Sequence, residues 1–122
     1  MTTYIEAEKN VRWADYMLSN FDKVAKSNMP VYIQSFDIGN WKLIGLSREP
    51  VSEFGLEIKK LFPNKSVTVS GYNNDVSSYL PSSKHVIAKT YEGSYSFYWY
   101  GAIALFPENI LDLVIQKIKR DN

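Results

Sequence analysis

Carboxylates and phenols are the side chains with which this sequence could do chemistry. Its 122 residues include thirteen acidic residues and nine tyrosines, but one histidine, His85, and no cysteine. A disulfide, a thiolate site and a cysteine nucleophile are therefore excluded, as is a self-contained metal site that needs two or three imidazoles. The sequence contains no glycine-rich phosphate loop, HExxH pair or GxSxG elbow. The candidates that remain are acidic and phenolic.

Two segments that carry such side chains each follow a predicted strand. Glu49 comes shortly after a strand that ends at Leu46, and Tyr79 lies in the polar loop that follows the strand Ser66–Ser70. If these strands are parallel, both segments leave the sheet at its carboxyl edge, where ligands of open sheets bind. The spacing therefore predicts that Glu49 and the loop carrying Tyr79 lie on the same rim.

Each candidate also has a purely structural interpretation. Glu49 suits the N-terminal turn of a helix, where the dipole favours a carboxylate. Tyr79 and Tyr91 suit packing positions whose hydroxyl groups reach water. The polar residues at 73–75 favour a turn because their side chains bond their own backbone, and a lone histidine such as His85 is usually a surface residue.

The elements that must position these residues begin with a long amphipathic helix. Thr3 and Glu6 form a capping box at its start, and the proline after Met29 should end it near Ser27–Asn28. Its apolar residues recur at spacings of four and three, which predicts one buried stripe: Ala7, Val11, Ala14, Leu18, Phe21 and Ala25.

Strand-like runs follow the helix. Val31–Ile38 and Trp41–Leu46 are joined by Gly39–Asn40, a pair that suits a tight hairpin, and the second run is apolar enough for an inner strand. A helix starting at Pro50 and the strand Ser66–Ser70 then complete a right-handed βαβ unit. A closing helix starts at Pro107 and has one apolar face: Leu111, Val114, Ile115 and Ile118.

These elements predict an α+β fold. A small mixed sheet, made of the hairpin and the βαβ unit, would pack against the N-terminal amphipathic helix and the C-terminal helix. Residues 1–122 suit one domain. The formal charge of +1 gives no basic surface for nucleic acid, so none is expected as a partner, and no signal peptide is visible.

Three segments occur in an order that is familiar from one enzyme family. Leu46–Pro50 ends a strand and enters a helix, Gly71–Pro81 begins Gly-Tyr-x-Asn and contains Tyr79, and Tyr91–Gly93 reads Tyr-Glu-Gly. In this order and spacing the chain, from about Glu6 to Lys119, resembles the C-terminal part of the neutral/alkaline ceramidase family. Members of that family are zinc amidases that cleave the amide of ceramide to sphingosine and a fatty acid.

The resemblance implies a role for three residues. Glu49 would be the glutamate ligand of the zinc ion and Tyr79 its tyrosine ligand. Tyr91 would be catalytic, donating a hydrogen bond to the oxyanion that develops on the substrate carbonyl. Zinc would act as a Lewis acid and lower the pKa of bound water to about 7.

The chain also departs from the family pattern. Ser47 and Arg48 replace a Pro-Gly pair, Val76 replaces a common tyrosine, and the family's two histidine ligands belong to an N-terminal region. The resemblance therefore implies a C-terminal fragment or a shortened relative, inactive alone and with no zinc bound alone. Its partners would be that N-terminal part and a ceramide-like lipid, in an extracytoplasmic compartment if the parent is a full-length member.

A non-catalytic binding module is the alternative function. The aromatic segment 95–100 would dock a protein or a lipid, because large exposed apolar patches mark such sites. This hypothesis requires that Tyr95, Phe97 and Trp99 are exposed. A homo-oligomer through the exposed aromatic surface is compatible with this hypothesis and with a fragment of a larger catalytic domain, so self-association would not separate the two. Single-stranded nucleic acid binding is a third hypothesis, which the nearly neutral charge disfavours.

Overall fold

A three-stranded mixed sheet lies at the centre of the fold, which a computed structural model describes for residues 3–122. The strands are β1 (Ile33–Ile38), β2 (Trp41–Leu46), β3 (Glu49–Pro50), β4 (Ser66–Ser70) and β5 (Tyr79–Leu80). The α-helices are α1 (Tyr4–Ser19), α2 (Phe21–Val24), α3 (Ser52–Lys60), α4 (Ser83–Ile87), α5 (Ser96–Tyr100) and α6 (Ile110–Asp121), and Tyr91–Tyr95 forms a π-helical turn. The predicted α+β class is confirmed.

The sheet has the order β1-β2-β4, so β2 is its central strand as its apolar sequence predicted. β1 and β2 are antiparallel, with Ile38 opposite Trp41. Gly39 lies between them at a φ of 59°, an angle that costs glycine little and that the tight hairpin requires. β2 and β4 are parallel and connected through α3, which confirms the βαβ unit.

The core lies between this sheet, α3 and α6. Its buried members come from the central strand, one face of each helix and β5: Ile44, Leu46, Phe54, Ile58, Leu80, Ile110, Val114 and Ile118. The helical spacing of these residues in α3 and α6 brings them onto one face of each helix. The closing helix begins at Ile110 rather than at the predicted Pro107, whose carbonyl accepts a hydrogen bond from the Ile110 amide.

The N-terminal helix differs from its prediction in extent and in burial. The capping box of Thr3 and Glu6 is present, but α1 ends at Ser19, and Asn20 separates it from the short α2. The predicted stripe is not buried, because α1 has no buried residue and both Val11 and Leu18 are exposed. α1 instead contacts α5 through Trp13, whose ring lies 5.0 Å from that of Phe97.

No helix in residues 3–122 combines the length and the apolar character needed to cross a membrane.

Candidate functional site

β3 and β5 form a two-residue parallel pair that brings Glu49 and Tyr79 side by side. Glu49 is the register partner of Tyr79, and Pro50 is the partner of Leu80. Backbone hydrogen bonds from Glu49 to Ser78 and from Val51 to Leu80, at 3.0 and 3.1 Å, hold the pair. Two sequence expectations are wrong here. Glu49 is not a helix N-terminal carboxylate and Pro50 does not start the helix, because both lie in β3 and α3 begins at Ser52.

The loop before β5 is hydrogen-bonded to the end of β2. The side-chain amide of Asn73 donates to the carbonyl oxygens of Leu46, Ser70 and Gly71 at 3.2, 2.8 and 2.8 Å. A Cβ atom at Gly71 would lie 2.6 Å from Pro50, so the loop approaches β3 at a distance that only glycine permits. The structural interpretation of Asn73 is therefore the right one, and its role is to place the loop.

Phenol groups surround the carboxylate of Glu49. The Tyr100 hydroxyl donates to Glu49 Oε2 at 3.2 Å. The Tyr79 ring packs edge-on against two other tyrosine rings, with centroid distances of 6.0 Å to Tyr91 and 5.9 Å to Tyr100. Tyr72 lies close enough to Glu49 for the carboxylate to raise the pKa of its hydroxyl. We call these residues together the Glu49 cluster: Glu49, Tyr72, Tyr79, Tyr91 and Tyr100.

The carboxylate helps to raise the pKa values of its neighbouring phenols. Burial, followed by the hydrogen bond and negative charge of Glu49, raises the pKa of Tyr79 to about 12. The hydrogen bond to Glu49 is the main cause that raises the pKa of Tyr72, whereas burial is the main cause at Tyr100. Phenols are protonated near neutral pH in any case, so the raised pKa values move their ionisation further into the alkaline range, and the Tyr100 hydroxyl is the phenol that donates to Glu49.

Sequence reasoning assigned no role to two members of the cluster. Tyr72 was part of the Gly-Tyr-x-Asn segment, and it reaches Glu49 from a backbone with a φ of 60°, which is unusual for a residue other than glycine. Tyr100 was assigned to the aromatic segment alone. It is 51 residues from Glu49 in the chain, and no local pattern indicates a contact over that distance.

The other predicted site residue, Tyr91, begins the π-helical turn and is half exposed beside Tyr79. Gly93 in the same turn packs against the backbone of His85 so closely that a Cβ atom would overlap the His85 carbonyl. His85 lies in the short helix α4, and its Nδ1 is 2.7 Å from Ser82 Oγ. It takes no part in the hydrogen bonds of the Glu49 cluster.

A second feature, the aromatic groove, lies next to the cluster. Its volume is about 390 Å³, and it is lined by Lys9, Arg12, Trp13, Tyr16, Tyr98, Trp99, Tyr100 and Gly101. The Lys9 ammonium lies 4.9 Å from the centre of the Trp99 ring. The three residues of the docking hypothesis differ in exposure: Tyr95 and Trp99 are exposed, whereas Phe97 is partly buried against Trp13. Tyr100 belongs to both the groove and the Glu49 cluster.

A complete metal site is not formed by the acidic and imidazole side chains of residues 3–122, in which no three or more gather closely enough to hold an ion. The donors that do converge are one carboxylate and several phenols. They fit part of a zinc site, since zinc accepts carboxylate oxygen, but zinc sites in proteins usually include nitrogen or sulfur ligands as well.

The chain has no match among protein-family models, among curated proteins or among solved structures. What it does must therefore be argued from its own residues. The strongest candidate for a functional site is the Glu49 cluster, in which one carboxylate lies beside several phenols.

Proposed function

We propose that this chain supplies the carboxylate and phenol ligands of a zinc-dependent amidase site of the neutral-ceramidase type. The observation that carries the proposal is the pairing of Glu49 with Tyr79 on adjacent short strands. These are the two residues that the resemblance nominates as metal ligands. They are 30 positions apart in the sequence, and the β3–β5 register makes them direct partners, which is closer than the shared rim that the parallel strands alone predict.

The carboxylate of Glu49 suits a cation site, because it is a negatively charged oxygen donor that lies beside phenols. Near neutral pH the phenols are protonated, as unperturbed tyrosines are, and their raised pKa values oppose ionisation further. A divalent cation at the carboxylate would reverse that preference, since a bound metal ion lowers the pKa of the groups that coordinate it. Glu49 would then bind the ion with Tyr79 as phenolate, while Tyr100 would keep its hydrogen bond to the carboxylate and orient it.

The backbone at Arg48 also supports the resemblance. Arg48 stands where the family signature has glycine, and its φ is 66°. Glycine is the residue that adopts this left-handed region without a steric cost. The backbone at position 48 therefore has a conformation that suits the family's glycine, although the side chain there is that of arginine.

Tyr91 and the absent histidines complete the proposal. The hydroxyl of Tyr91, half exposed beside Tyr79, would donate a hydrogen bond to the carbonyl oxygen of an N-acyl substrate. Zinc, when bound, would supply Lewis acidity toward that carbonyl. Because His85 bonds Ser82, the imidazole ligands would come from a separate polypeptide segment, and this chain by itself would not hydrolyse a ceramide-like lipid.

A zinc titration followed by ultraviolet difference spectroscopy tests the ligand assignment. Phenolate absorbs where phenol does not, so we expect the wild-type chain to develop a tyrosinate signal near neutral pH as zinc is added to millimolar concentration in the presence of imidazole, which replaces the missing histidine ligands. The double variant Glu49→Ala with Tyr79→Phe should lose the signal. The matched control is Glu108→Ala with Tyr4→Phe, which removes an exposed carboxylate and an exposed phenol elsewhere.

Two results would contradict the assignment. One is a tyrosinate signal that persists unchanged in the double variant. The other is a wild-type chain that gives no signal even at millimolar zinc with imidazole added to complete the coordination. A loss of signal in the control variant as well would show that zinc binds surface carboxylates in general.

The second candidate is the binding module, and the aromatic groove favours it. Tyr95 is 60% exposed and Trp99 is 41% exposed, so part of the segment 95–100 is open to a partner. Phosphatidylcholine vesicles provide the probe. We expect Tyr95→Ser with Trp99→Ser to abolish co-sedimentation, whereas Leu18→Ser with Phe21→Ser, at exposed apolar residues of α1 and α2, should not. Equal binding by both variants would exclude the segment as a lipid contact.

A further inference from the structure

β1 is an open edge of the central sheet. Within residues 3–122 its only neighbouring strand is β2, and its residues from Gln34 to Ile38 are all exposed. Edge strands present a row of unpaired N–H and C=O groups, and proteins usually protect them with lysine, proline or a β-bulge. The sequence of β1, Ile-Gln-Ser-Phe-Asp-Ile, contains neither lysine nor proline, and its register with β2 is unbroken. This edge therefore lacks the usual protection against strand pairing.

The register with β2 shows which backbone groups of β1 point outward. The Ser47 amide donates to the Tyr32 carbonyl at 3.0 Å, so Tyr32 occupies a hydrogen-bonded position. Such positions alternate in an antiparallel ladder, so the even-numbered residues of 34–38 turn their N–H and C=O groups towards β2. The residues that turn these groups away from the sheet are Ile33, Ser35 and Asp37.

The single charged side chain of β1 is already neutralised. One oxygen of the Asp37 carboxylate is 2.7 Å from Lys42 Nζ, and the other oxygen forms an ion pair with Lys65. A strand that docks on this edge therefore meets no uncompensated charge of β1.

Apolar side chains beside the edge are exposed as well. Phe36 is 52% exposed and Ile38 is 63% exposed, and Trp41, the register partner of Ile38, is 38% exposed. Because side chains alternate between the two faces of a sheet, these three lie on the face opposite the buried Ile44. An unpaired edge next to exposed apolar side chains is a surface on which another strand can dock.

We propose that two copies of this chain pair through β1, antiparallel and about a two-fold axis at Ser35, and so join their three-stranded sheets into one. The outward backbone groups are placed symmetrically about Ser35, so a second copy offers the matching donors and acceptors in reverse order. Asp37 then faces Ile33 of the second copy, and no like charges meet. On the open face Ile38 packs against Tyr32 of the second copy, a residue that is 53% exposed in the single chain.

Sedimentation equilibrium measures this pairing. Over protein concentrations from about 1 µM to about 1 mM, we expect the wild-type chain to shift from its monomer mass of 14.0 kDa towards twice that mass. Amide hydrogen exchange identifies the strand. At the high concentration the amides of Ile33, Ser35 and Asp37 should exchange more slowly, whereas those of Gln34 and Phe36, which already face β2, should change less.

Charged substitutions at Ser35 test the position of the axis. Ser35→Lys and Ser35→Glu each place like charges directly opposite each other, so each should weaken dimerisation by about fivefold. An equimolar mixture of the two variants should dimerise again, because opposite charges then face each other. Ser35→Ala is the matched control. It removes the hydrogen bond from Ser35 Oγ to Asn122 Oδ1, at 2.7 Å, without adding a charge, so it should dimerise as the wild type does.

A wild-type chain that stays monomeric over the whole range overturns the proposal, as do charged variants that dimerise unchanged or a mixture that fails to restore the dimer. Loss of the dimer in Leu18→Ser with Phe21→Ser, or in Tyr95→Ser with Trp99→Ser, would place the contact on another surface. If the charged variants fail to fold, the exchange of the three outward amides decides the question. The zinc proposal is independent of this result, since no residue of β1 belongs to the Glu49 cluster.

Discussion

The core of the molecule and the pair formed by α1 and α5 use apolar residues in opposite ways. The sheet encloses Ile44 and Leu46 between α3 and α6, and both residues are fully buried. α1 carries an apolar stripe of similar regularity, but Leu18 is 77% exposed and no residue of that helix is buried. Periodicity therefore predicted helix in both regions. Burial followed only where a second element covers the apolar face.

The Glu49 cluster lies across the boundary between these regions. Glu49 and Tyr79 belong to the β3–β5 pair, where Leu80 is part of the core. Tyr91 begins the π-helical turn, and Tyr100 ends α5, the helix that contacts α1. Segments with few buried apolar contacts open at a lower free energy than a packed core. We therefore expect the α5 side of the cluster to open more readily than the β3–β5 side.

The largest expected effect is on the free energy of unfolding. Removing an apolar side chain from the core should lower it much more than removing one from α1. Ile58→Ala should lower the free energy of unfolding by about 2–5 kcal/mol, because Ile58 is fully enclosed in the core. Leu18→Ala should change it by less than about 0.5 kcal/mol, because most of that side chain is already in water. Urea unfolding of both variants measures the difference. Similar losses would mean that α1 is buried in solution, for example against a second copy.

Alanine substitutions at two glycines should change the stability in opposite directions. Gly93→Ala should destabilise the chain by about 1–3 kcal/mol, because the new Cβ atom would overlap the His85 carbonyl. Gly55→Ala should stabilise it by up to about 1 kcal/mol, because α3 leaves open space there and alanine favours a helix. Thermal unfolding compares the two. A neutral Gly93→Ala would show that the π-helical turn can move away from α4.

A smaller effect concerns the attachment of α1. Trp13 donates through Nε1 to the Ala102 carbonyl at 2.8 Å, and Trp13→Phe removes that bond while retaining an aromatic ring. We expect a loss of about 1 kcal/mol or less. Hydrogen exchange should speed up in α1 while amides of α6 keep their protection. Uniform acceleration in both helices would contradict the idea that the two regions open separately.

The smallest effect is the dependence of stability on alkaline pH. The pKa of Tyr79 is about 12 in the folded chain against 10.0 for a free tyrosine, so above about pH 10 the unfolded chain releases this proton first and the stability falls. Glu49→Gln removes the charge that helps to raise the pKa of Tyr79 and of Tyr72, so both phenols should ionise at lower pH. Spectrophotometric titration of the tyrosines checks this, with Glu108→Gln as control. An unchanged titration curve would place the Glu49 carboxylate away from the phenols.

Several parts of the fold were predictable because their causes are local. The hairpin follows from Gly39 beside Asn40, and the helical faces of α3 and α6 follow from spacing. The start of α3 was not predictable in this way. Pro50 suits a first helical turn, but its segment pairs with Leu80 instead, and a two-residue pairing between distant segments leaves no periodic pattern.

Part of the candidate site was also predictable from the sequence. The parallel arrangement of β2 and β4 leads both segments to one edge, which is why Glu49 and Tyr79 were expected near each other. The positions of Tyr72 and Tyr100 beside Glu49 had no such signal. They depend on side-chain directions that arise only after the loops are packed.

By itself, the amino-acid sequence determined the types of most elements, the hairpin, the parallel crossover and the absence of thiol chemistry, because each depends on residue identity or on repeats within a few turns. Only the tertiary structure decided which apolar faces are covered, which phenols lie beside one carboxylate and which polar side chains are buried. Those outcomes depend on contacts between residues that are tens of positions apart, and the energy of such contacts exists only when the whole chain is packed.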